Sequence, residues 1–159
     1  MLAHFRLFGL VTAGRDQGSF QFERTALTEH VAFHINLLRK LQQAGYTLKS
    51  IRVTITDLSE NSVASHVPPE QLDKLTELFP DVQFALDPER TAGRGYYNGP
   101  AFHLHATDQN GDSHFLADGG CTTWTQQLLS DKKERLMISG IGSERICAVF
   151  GPNATRAPG

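Results

Sequence analysis

The sequence predicts an α+β domain built around an antiparallel sheet. Three observations support this. Several short segments alternate apolar and polar residues, only one long segment has helical spacing, and the pair Asn110-Gly111 stands between two strand-like segments, where it favours a tight hairpin turn. Hairpins therefore dominate over strand-helix-strand units, as in α+β folds. The 159 residues fit one domain, with residues 1–150 as a single core and the Pro- and Gly-containing residues 151–159 as a mobile tail.

The first half of the chain is predicted to hold a hairpin, two helices and two strands. Residues 5–11 and 19–23 read as a hairpin around a polar loop, with Phe20 and Phe22 on one face of the second strand. A helix over 28–44 follows from the apolar residues Leu27, Val31, Ile35, Leu38 and Leu41. Further predicted elements are a strand at 51–56, a short helix that begins at Pro69, and a strand at 82–86.

The second half is predicted to complete the sheet. Residues 96–107 and 113–118 form strands on either side of the Asn110-Gly111 turn, and Gly119-Gly120 opens a loop. The remaining predicted elements are a helix at 125–129, a strand at 136–141 and a closing helix at 143–150. In this arrangement the 28–44 helix packs on one face of the sheet.

Composition excludes several classes of protein. A net charge of −2 gives no basic excess for a nucleic-acid backbone, so a nucleic-acid partner is not expected. No segment is apolar over the length of a signal peptide or a membrane span. The two cysteines, Cys121 and Cys147, have no metal-knuckle spacing, and no metal is predicted in the fold. A cytoplasmic protein is the expectation.

Two motifs stand in order in the second half. Residues 87–102 read Asp-Pro-Glu-Arg-Thr-Ala-Gly-Arg-Gly-Tyr-Tyr-Asn-Gly-Pro-Ala-Phe, and residues 140–145 read Gly-Ile-Gly-Ser-Glu-Arg. Together they resemble the histidyl-tRNA synthetase family, which has Asn-Pro-x-x-x-Arg-Gly-Leu-Asp-Tyr-Tyr-x-x-x-x-Phe and later Gly-x-Gly-x-Glu-Arg. The resemblance implies a class II aminoacyl-tRNA synthetase-like antiparallel sheet flanked by helices, most closely over residues 80–150.

The resemblance also implies two groups of site residues. An amino-acid pocket would be formed by Tyr96, Tyr97, Gly119 and Gly120. A nucleotide site would be formed by Gly140, Gly142, Glu144 and Arg145. ATP, with Mg²⁺, is the ligand that the second group implies.

Three departures from the family pattern weaken the catalytic expectation. Ala92 stands where the family has an arginine that contacts carboxylate and phosphate. Arg90 or Arg94 could reach in instead, but Arg94 replaces an apolar residue of the family and is expected to point elsewhere. Thr122 stands where the family has a tyrosine of the amino-acid pocket. The predicted N-terminal hairpin lacks the family's Phe-Arg-x-Glu signature. Fixed cations stabilise the charges that develop during adenylate formation. No catalytic residue is therefore predicted, and efficient aminoacylation is not expected.

The resemblance then implies a synthetase paralogue that binds a small ligand, an amino acid or an adenine nucleotide, in a regulatory role. The regulatory subunit of ATP phosphoribosyltransferase does this in histidine biosynthesis. One alternative is an active ATP-dependent aminoacyl ligase acting on tRNA or another acceptor. Another is a structural partner domain of a synthetase. The expected protein partner is a second copy, or a larger synthetase or phosphoribosyltransferase subunit.

Simpler interpretations of the same residues stay open. His103, His105 and His114, with Cys121, form a candidate zinc cluster, although exposed sheet histidines are favoured. Cys121 as a nucleophile has no base assigned to it. The tyrosines could pack in the core, Arg145 could pair with Glu144, and the glycines could serve close packing. Ligand binding and structural packing thus compete at every candidate position.

Overall fold

A computed structural model describes residues 6–59, 66–152 and 154. It contains six strands and four helices, which are numbered here in chain order. They are β1 (Leu7–Arg15), α1 (Gln21–Gln43), β2 (Ser50–Asp57), α2 (Pro69–Leu78), β3 (Val82–Leu86), β4 (Pro100–Thr107), β5 (Ser113–Thr122), α3 (Trp124–Leu129), β6 (Glu134–Gly142) and α4 (Ser143–Phe150).

The six strands form one sheet in the order β1-β6-β5-β4-β2-β3. All neighbouring pairs are antiparallel except β2 and β3, which run parallel and are joined through α2. The predicted α+β class, the largely antiparallel sheet and the strands at 82–86 and 136–141 are confirmed. The Asn110-Gly111 turn also joins β4 to β5 as predicted, with Gly111 at a φ of 96°.

Helix α1 covers one face of the sheet and supplies much of the core. Its apolar side chains recur every three or four residues, and Leu27, Val31, Ile35 and Leu38 are fully buried. They pack with strand residues and with side chains from α2 and α4 in one continuous cluster. The predicted packing of residues 28–44 on the sheet is therefore confirmed.

The predicted N-terminal hairpin is wrong in its second strand. Residues 21–23 open α1 instead, and β1 pairs with β6 at the edge of the sheet. Phe20 precedes the helix with a φ of 57°, which turns the chain, and Phe22 points at Gly14 of β1. Phe22 and Ala26 continue the buried stripe of α1 backward at helical spacing, which outweighs the two-residue alternation of the phenylalanines.

Two boundaries around the central strands also differ from the prediction. Residues 96–99 form turns rather than strand, and β4 begins only at Pro100. Gly119 and Gly120 do not open a loop, because β5 continues to Thr122 and both glycines pair with strands on each side. Residues 60–65 lie outside the described part of the chain, and so do residues 153 and 155–159 of the predicted tail at 151–159.

The sheet face opposite α1, called the open face below, carries the alternate residues of each strand. His103 of β4, Asp118 and Gly120 of β5, and Gly140 of β6 share this face through their pairing registers. Across residues 6–59, 66–152 and 154, no helix combines the length and apolar character needed to cross a membrane.

Candidate functional site

Tyr97 lies flat on the centre of the open face. Its ring is packed so closely over Gly120 that a Cβ there would come within 2.6 Å of the ring. The Tyr97 hydroxyl donates a hydrogen bond of 3.2 Å to Oδ2 of Asp118. Burial and the adjacent Asp118 carboxylate raise the pKa of Tyr97, so the phenol is protonated and acts as a donor. Gly120 thus provides the floor on which the tyrosine is held.

Arg90 lies beside the Tyr97 ring, with its guanidinium carbon 5.9 Å from the ring centre. The residue is only 6% exposed, and burial lowers its pKa although arginine stays charged in proteins. Its Nε donates to the carbonyl oxygen of Ala92 at 2.9 Å, while Nη1 has no hydrogen-bond partner among the described residues. A buried guanidinium nitrogen without an acceptor is costly, so this cation is incompletely satisfied.

His103 and His105 continue the open face beyond Asp118. The ring of Phe115 packs against both, at centroid distances of 5.1 and 5.5 Å. Burial, followed by the charge of Arg90, lowers the pKa of His103, while Asp118 acts in the opposite direction. The neutral imidazole can therefore donate or accept a hydrogen bond at this face.

The zinc interpretation of these histidines is wrong. The β4–β5 register shifts between Leu104 and His105, and the ring of His114 packs against Phe150 of the core side. Cys121 is buried against Met137, also away from the open face. Among the described residues no group of three histidine, cysteine or carboxylate side chains could hold a metal ion.

A cavity of about 170 Å³ lies on the open face where β6 leads into α4. All four residues of the predicted nucleotide site line it, and Arg6, Leu7, Leu116, Phe115 and Asp118 complete the lining. Leu7 packs over Gly140, where a Cβ would come within 2.9 Å of its side chain. The structure therefore brings the predicted group together around one concave surface.

Arg145 is exposed at the mouth of this cavity. Its Nη1 donates to the carbonyl oxygen of Phe115 at 2.8 Å, and no described carboxylate forms an ion pair with it. Glu144 instead lies 3.9 Å from Arg6. Two arginines and two carboxylates, Asp118 and Glu144, thus surround the cavity in equal number. This balance suits a ligand that carries both charges better than a bare polyanion.

The predicted amino-acid pocket is only partly assembled. Tyr97 and Gly120 are in contact, but Gly119 faces the α1 side, where a Cβ would come within 2.4 Å of Ser139. Tyr96 is 51% exposed, and its ring packs edge-on against Trp124 at 5.3 Å. The two groups of predicted residues meet at Asp118, which contacts Tyr97 and also lines the cavity.

Sequence reasoning missed Asp118, and it expected Arg94 to point elsewhere without assigning Arg90 to the site. A regular β4–β5 register counted from the hairpin turn would pair His103 with Ala117 and place Asp118 on the other face. The register shift between Leu104 and His105 brings Asp118 opposite His103 instead, and the sequence pattern gives no sign of that shift. Arg94 is exposed on the turn, whereas Arg90 lies beside Tyr97. The choice between the two arginines depends on the turns at 92–97, whose shape the alternating pattern does not reveal.

Comparisons with known proteins agree with this geometry at the level of the fold. No protein-family model matches the sequence, and no curated protein is significantly similar to it. Histidyl-tRNA synthetase from S. aureus, solved in its apo form, matches with a TM-score of 0.67 and 19% identity, over 96% of this chain and 42% of that chain. The chain thus spans less than half of that synthetase.

Two further solved structures share the fold at lower similarity. One is described as the RNA binding domain of threonyl-tRNA synthetase from Cryptosporidium parvum Iowa II, with a TM-score of 0.55, 13% identity, and coverage of 91% and 36% of the two chains. The other is an ATP phosphoribosyltransferase regulatory subunit/histidyl-tRNA synthetase from Bacillus halodurans C. It matches with a TM-score of 0.51 and 12% identity, over 89% of this chain and 52% of that chain. The predicted class II synthetase-like core is therefore confirmed as the fold.

Proposed function

We propose that this chain binds a small zwitterionic ligand, an amino acid or a close relative, on its open face, in a regulatory rather than a catalytic role. The observation that supports this most is Arg90, a guanidinium buried on that face with an unpaired Nη1. A ligand carboxylate that reached this nitrogen would supply the missing acceptor. A charge-assisted hydrogen bond of this kind is worth about 1.5–3 kcal/mol.

The other half of a zwitterion has a partner close by. Asp118 accepts one hydrogen bond from Tyr97, and a carboxylate has capacity for several more. A ligand ammonium group beside Asp118 and a carboxylate towards Arg90 would bridge two opposite charges on a surface that is partly withdrawn from water. Tyr97 would form one wall of this site, and His103 of β4 would lie opposite Asp118.

An adenine nucleotide is the second ligand we propose, at the cavity beside α4. Arg145 offers a guanidinium without an ion-pair partner among the described residues, and guanidinium groups suit phosphate oxygens. Asp118 and Glu144 on the same cavity would repel a triphosphate. ATP would therefore bind as its Mg²⁺ complex, in which the metal offsets part of the phosphate charge.

A ligase would need more fixed cations than this face supplies. Ala92 contributes only its carbonyl oxygen, which accepts from Arg90, and Thr122 has no aromatic ring to offer. Loss of a single stabilising group typically costs about two or more orders of magnitude in rate. We therefore favour a cytoplasmic ligand-binding subunit, acting as a homodimer or with a larger synthetase or phosphoribosyltransferase, over an aminoacyl ligase.

Ligand-dependent thermal unfolding tests the proposal. Histidine, other amino acids and ATP with Mg²⁺ are added separately to the wild type and to the variants Arg90→Gln and Arg145→Ala. Amino-acid stabilisation should be lost in Arg90→Gln and kept in Arg145→Ala, and nucleotide stabilisation should show the reverse pattern. Arg94→Ala is the matched control, because Arg94 is exposed on the same turn segment.

The same protein samples distinguish the binder from the ligase. The proposal expects no amino-acid-dependent exchange between ATP and pyrophosphate in the wild type. Robust exchange with histidine would establish the ligase instead. If neither amino acids nor ATP change the melting temperature at concentrations up to the millimolar range, the open face is not a ligand site. The chain is then better explained as a structural partner domain of a synthetase.

A further inference from the structure

A second cavity, of about 160 Å³, lies at the end of the sheet, apart from the open-face site. Here β5 ends, β4 and β6 begin, and the first turn of α1 comes close to all three. None of its lining residues lines the cavity beside α4. Arg90, Asp118 and Arg145, on which the function proposed above rests, do not line it either, although Thr122 stands at a position of the family's amino-acid pocket.

Two unpaired acceptors belong to residues that line this cavity. Glu23 is 8% exposed, and its Oε1 accepts from Nε of Arg135 at 2.8 Å, but its Oε2 has no partner among the described residues. Thr122 is 4% exposed, and its Oγ1 is also unpaired. Buried polar atoms are nearly always hydrogen-bonded, so two unpaired oxygens in residues that line the same cavity indicate a missing donor.

Glu23 shares its cation with a carboxylate that lies outside the cavity lining. Arg135 is the cation beside Glu23, and it also forms a 3.0 Å ion pair with Asp16. One guanidinium therefore serves two carboxylates and leaves one negative charge without compensation. A cationic donor would satisfy both the charge and the unpaired oxygens, whereas an anion would be repelled.

The remaining lining is mixed, with apolar side chains beside the polar residues His66, Asn98, Thr123 and Gln126. Phe20, Phe22 and Leu136 line the cavity together with Glu23 and Thr122. Aromatic rings attract a nearby ammonium group and also accept a short carbon chain. The volume corresponds to roughly five water molecules at about 30 Å³ each, which is enough for an amino group with a few carbons.

We propose that this cavity binds the protonated amino group of a small primary amine. The ammonium would donate to Oε2 of Glu23 and to Oγ1 of Thr122, and its carbon chain would lie against the phenylalanines. An ammonium group carries three N–H donors, so one donor would remain for a further acceptor. A tetraalkylammonium ion has the same charge and no N–H donor.

The test is a titration of the ¹⁵N-labelled protein with ethylammonium chloride, followed by amide chemical shifts, at constant ionic strength. Saturable shifts are expected around Glu23 and Thr122. Glu23→Gln should weaken binding by about tenfold to a hundredfold, as expected for the loss of a charged acceptor. Thr122→Val should weaken it by roughly two- to tenfold, as for a neutral hydrogen bond.

Matched controls separate binding from general effects on the fold. Thr125 has a buried, unpaired Oγ1 too but does not line the cavity, so Thr125→Val should bind ethylammonium like the wild type. Arg94→Ala, at an exposed position outside the cavity lining, should also leave binding unchanged, even if the open face proves to bind nothing. Equal shifts with tetramethylammonium, potassium or magnesium chloride would overturn the proposal. So would wild-type affinity in a folded Thr122→Val and Glu23→Gln pair.

Discussion

His30 and His34 lie one turn apart on α1, both fully buried against β6, and we expect them to control stability in mild acid. Nδ1 of His30 and Nε2 of His34 each lie 2.8 Å from Oγ of Ser139, and Thr12 Oγ1 lies 3.0 Å from Nε2 of His30. Nδ1 of His34 has no partner in the described structure. The pair is thus held in its neutral form inside the core.

The pKa values fix the sign of the effect. Burial lowers the pKa of His30 from 6.5 to about 4, and burial with the charge of His30 lowers that of His34 to about 4 as well. The unfolded chain binds protons near pH 6.5, whereas the folded protein resists them down to about pH 4. The stability that the neutral rings contribute is therefore fully present above pH 6.5 and is lost as the pH falls towards 4.

The expected magnitude is large. The difference between 6.5 and about 4 corresponds to about 3.4 kcal/mol for each ring, at 1.36 kcal/mol per pKa unit. At pH 5 the loss is already about 2 kcal/mol per ring, or about 4 kcal/mol for the pair if they titrate independently. Domains of this kind have a total stability of about 5–15 kcal/mol. The protein should consequently lose a substantial part of its stability by pH 5.

Urea unfolding at several pH values between 7.5 and 5, followed by circular dichroism, measures this loss. Carboxylates have unfolded pKa values near 4, so the interval from pH 6.5 to 5 reports mainly the histidines. A variant with His30→Gln and His34→Gln should lose most of the slope of stability against pH in that interval. Ser139→Ala should be less stable at neutral pH but keep the slope, because both rings stay buried. An unchanged slope in the double variant would refute this reasoning.

Two further outcomes follow from packing around β5. Gly119→Ala should destabilise the fold by about 1–3 kcal/mol or more in urea unfolding, because the new Cβ would lie only 2.4 Å from Ser139 Cβ. Gly9→Ala is the control, since no atom lies nearer than 3.9 Å to its new Cβ, and it should change stability by about 0.5 kcal/mol or less. Cys121 is buried, and burial raises the pKa of its thiol to about 12, whereas Cys147 is exposed. In a disulfide-exchange assay only Cys147 should therefore react in the native protein, and both thiols should react in denaturant. Rapid reaction of two thiols in the native state would contradict this.

Periodicity predicted the elements that pack against the main core. The stripe from Leu27 to Leu38 and the alternation in β2 each produce an apolar face, and burial of that face decides where the element lies. The start of α1 was missed because Phe20 and Phe22 alternate like a strand, although Phe22 and Ala26 also fit a helix. Two phenylalanines are too few to distinguish a helical from a strand period. In the structure the chain turns at Phe20, and the helix begins at the next residue.

The candidate site was less predictable because it depends on turns and on close contacts. The glycines at 119 and 120 read as a loop by composition, since glycine is common in turns. In the structure both lie in a central strand, and at each of them a neighbouring side chain occupies the space that a Cβ atom would need. Composition cannot distinguish a glycine that is required by backbone conformation from one that is required by close packing. Gly120 is of the second kind, because the Tyr97 ring packs directly against it.

The residues that match the histidyl-tRNA synthetase motifs and the residues that depart from them play different physical roles. Tyr97, Gly120 and Gly140 belong to the matched segments, and each takes part in tight packing on the open face. The positions that changed, among them Ala92 and Thr122, are those where the family places a charge or an aromatic wall. Packing constraints therefore explain why the motifs predicted the fold. Arg90, buried on the same face and short of one acceptor, shows that the surface still holds a charge for which the protein itself provides no complete partner.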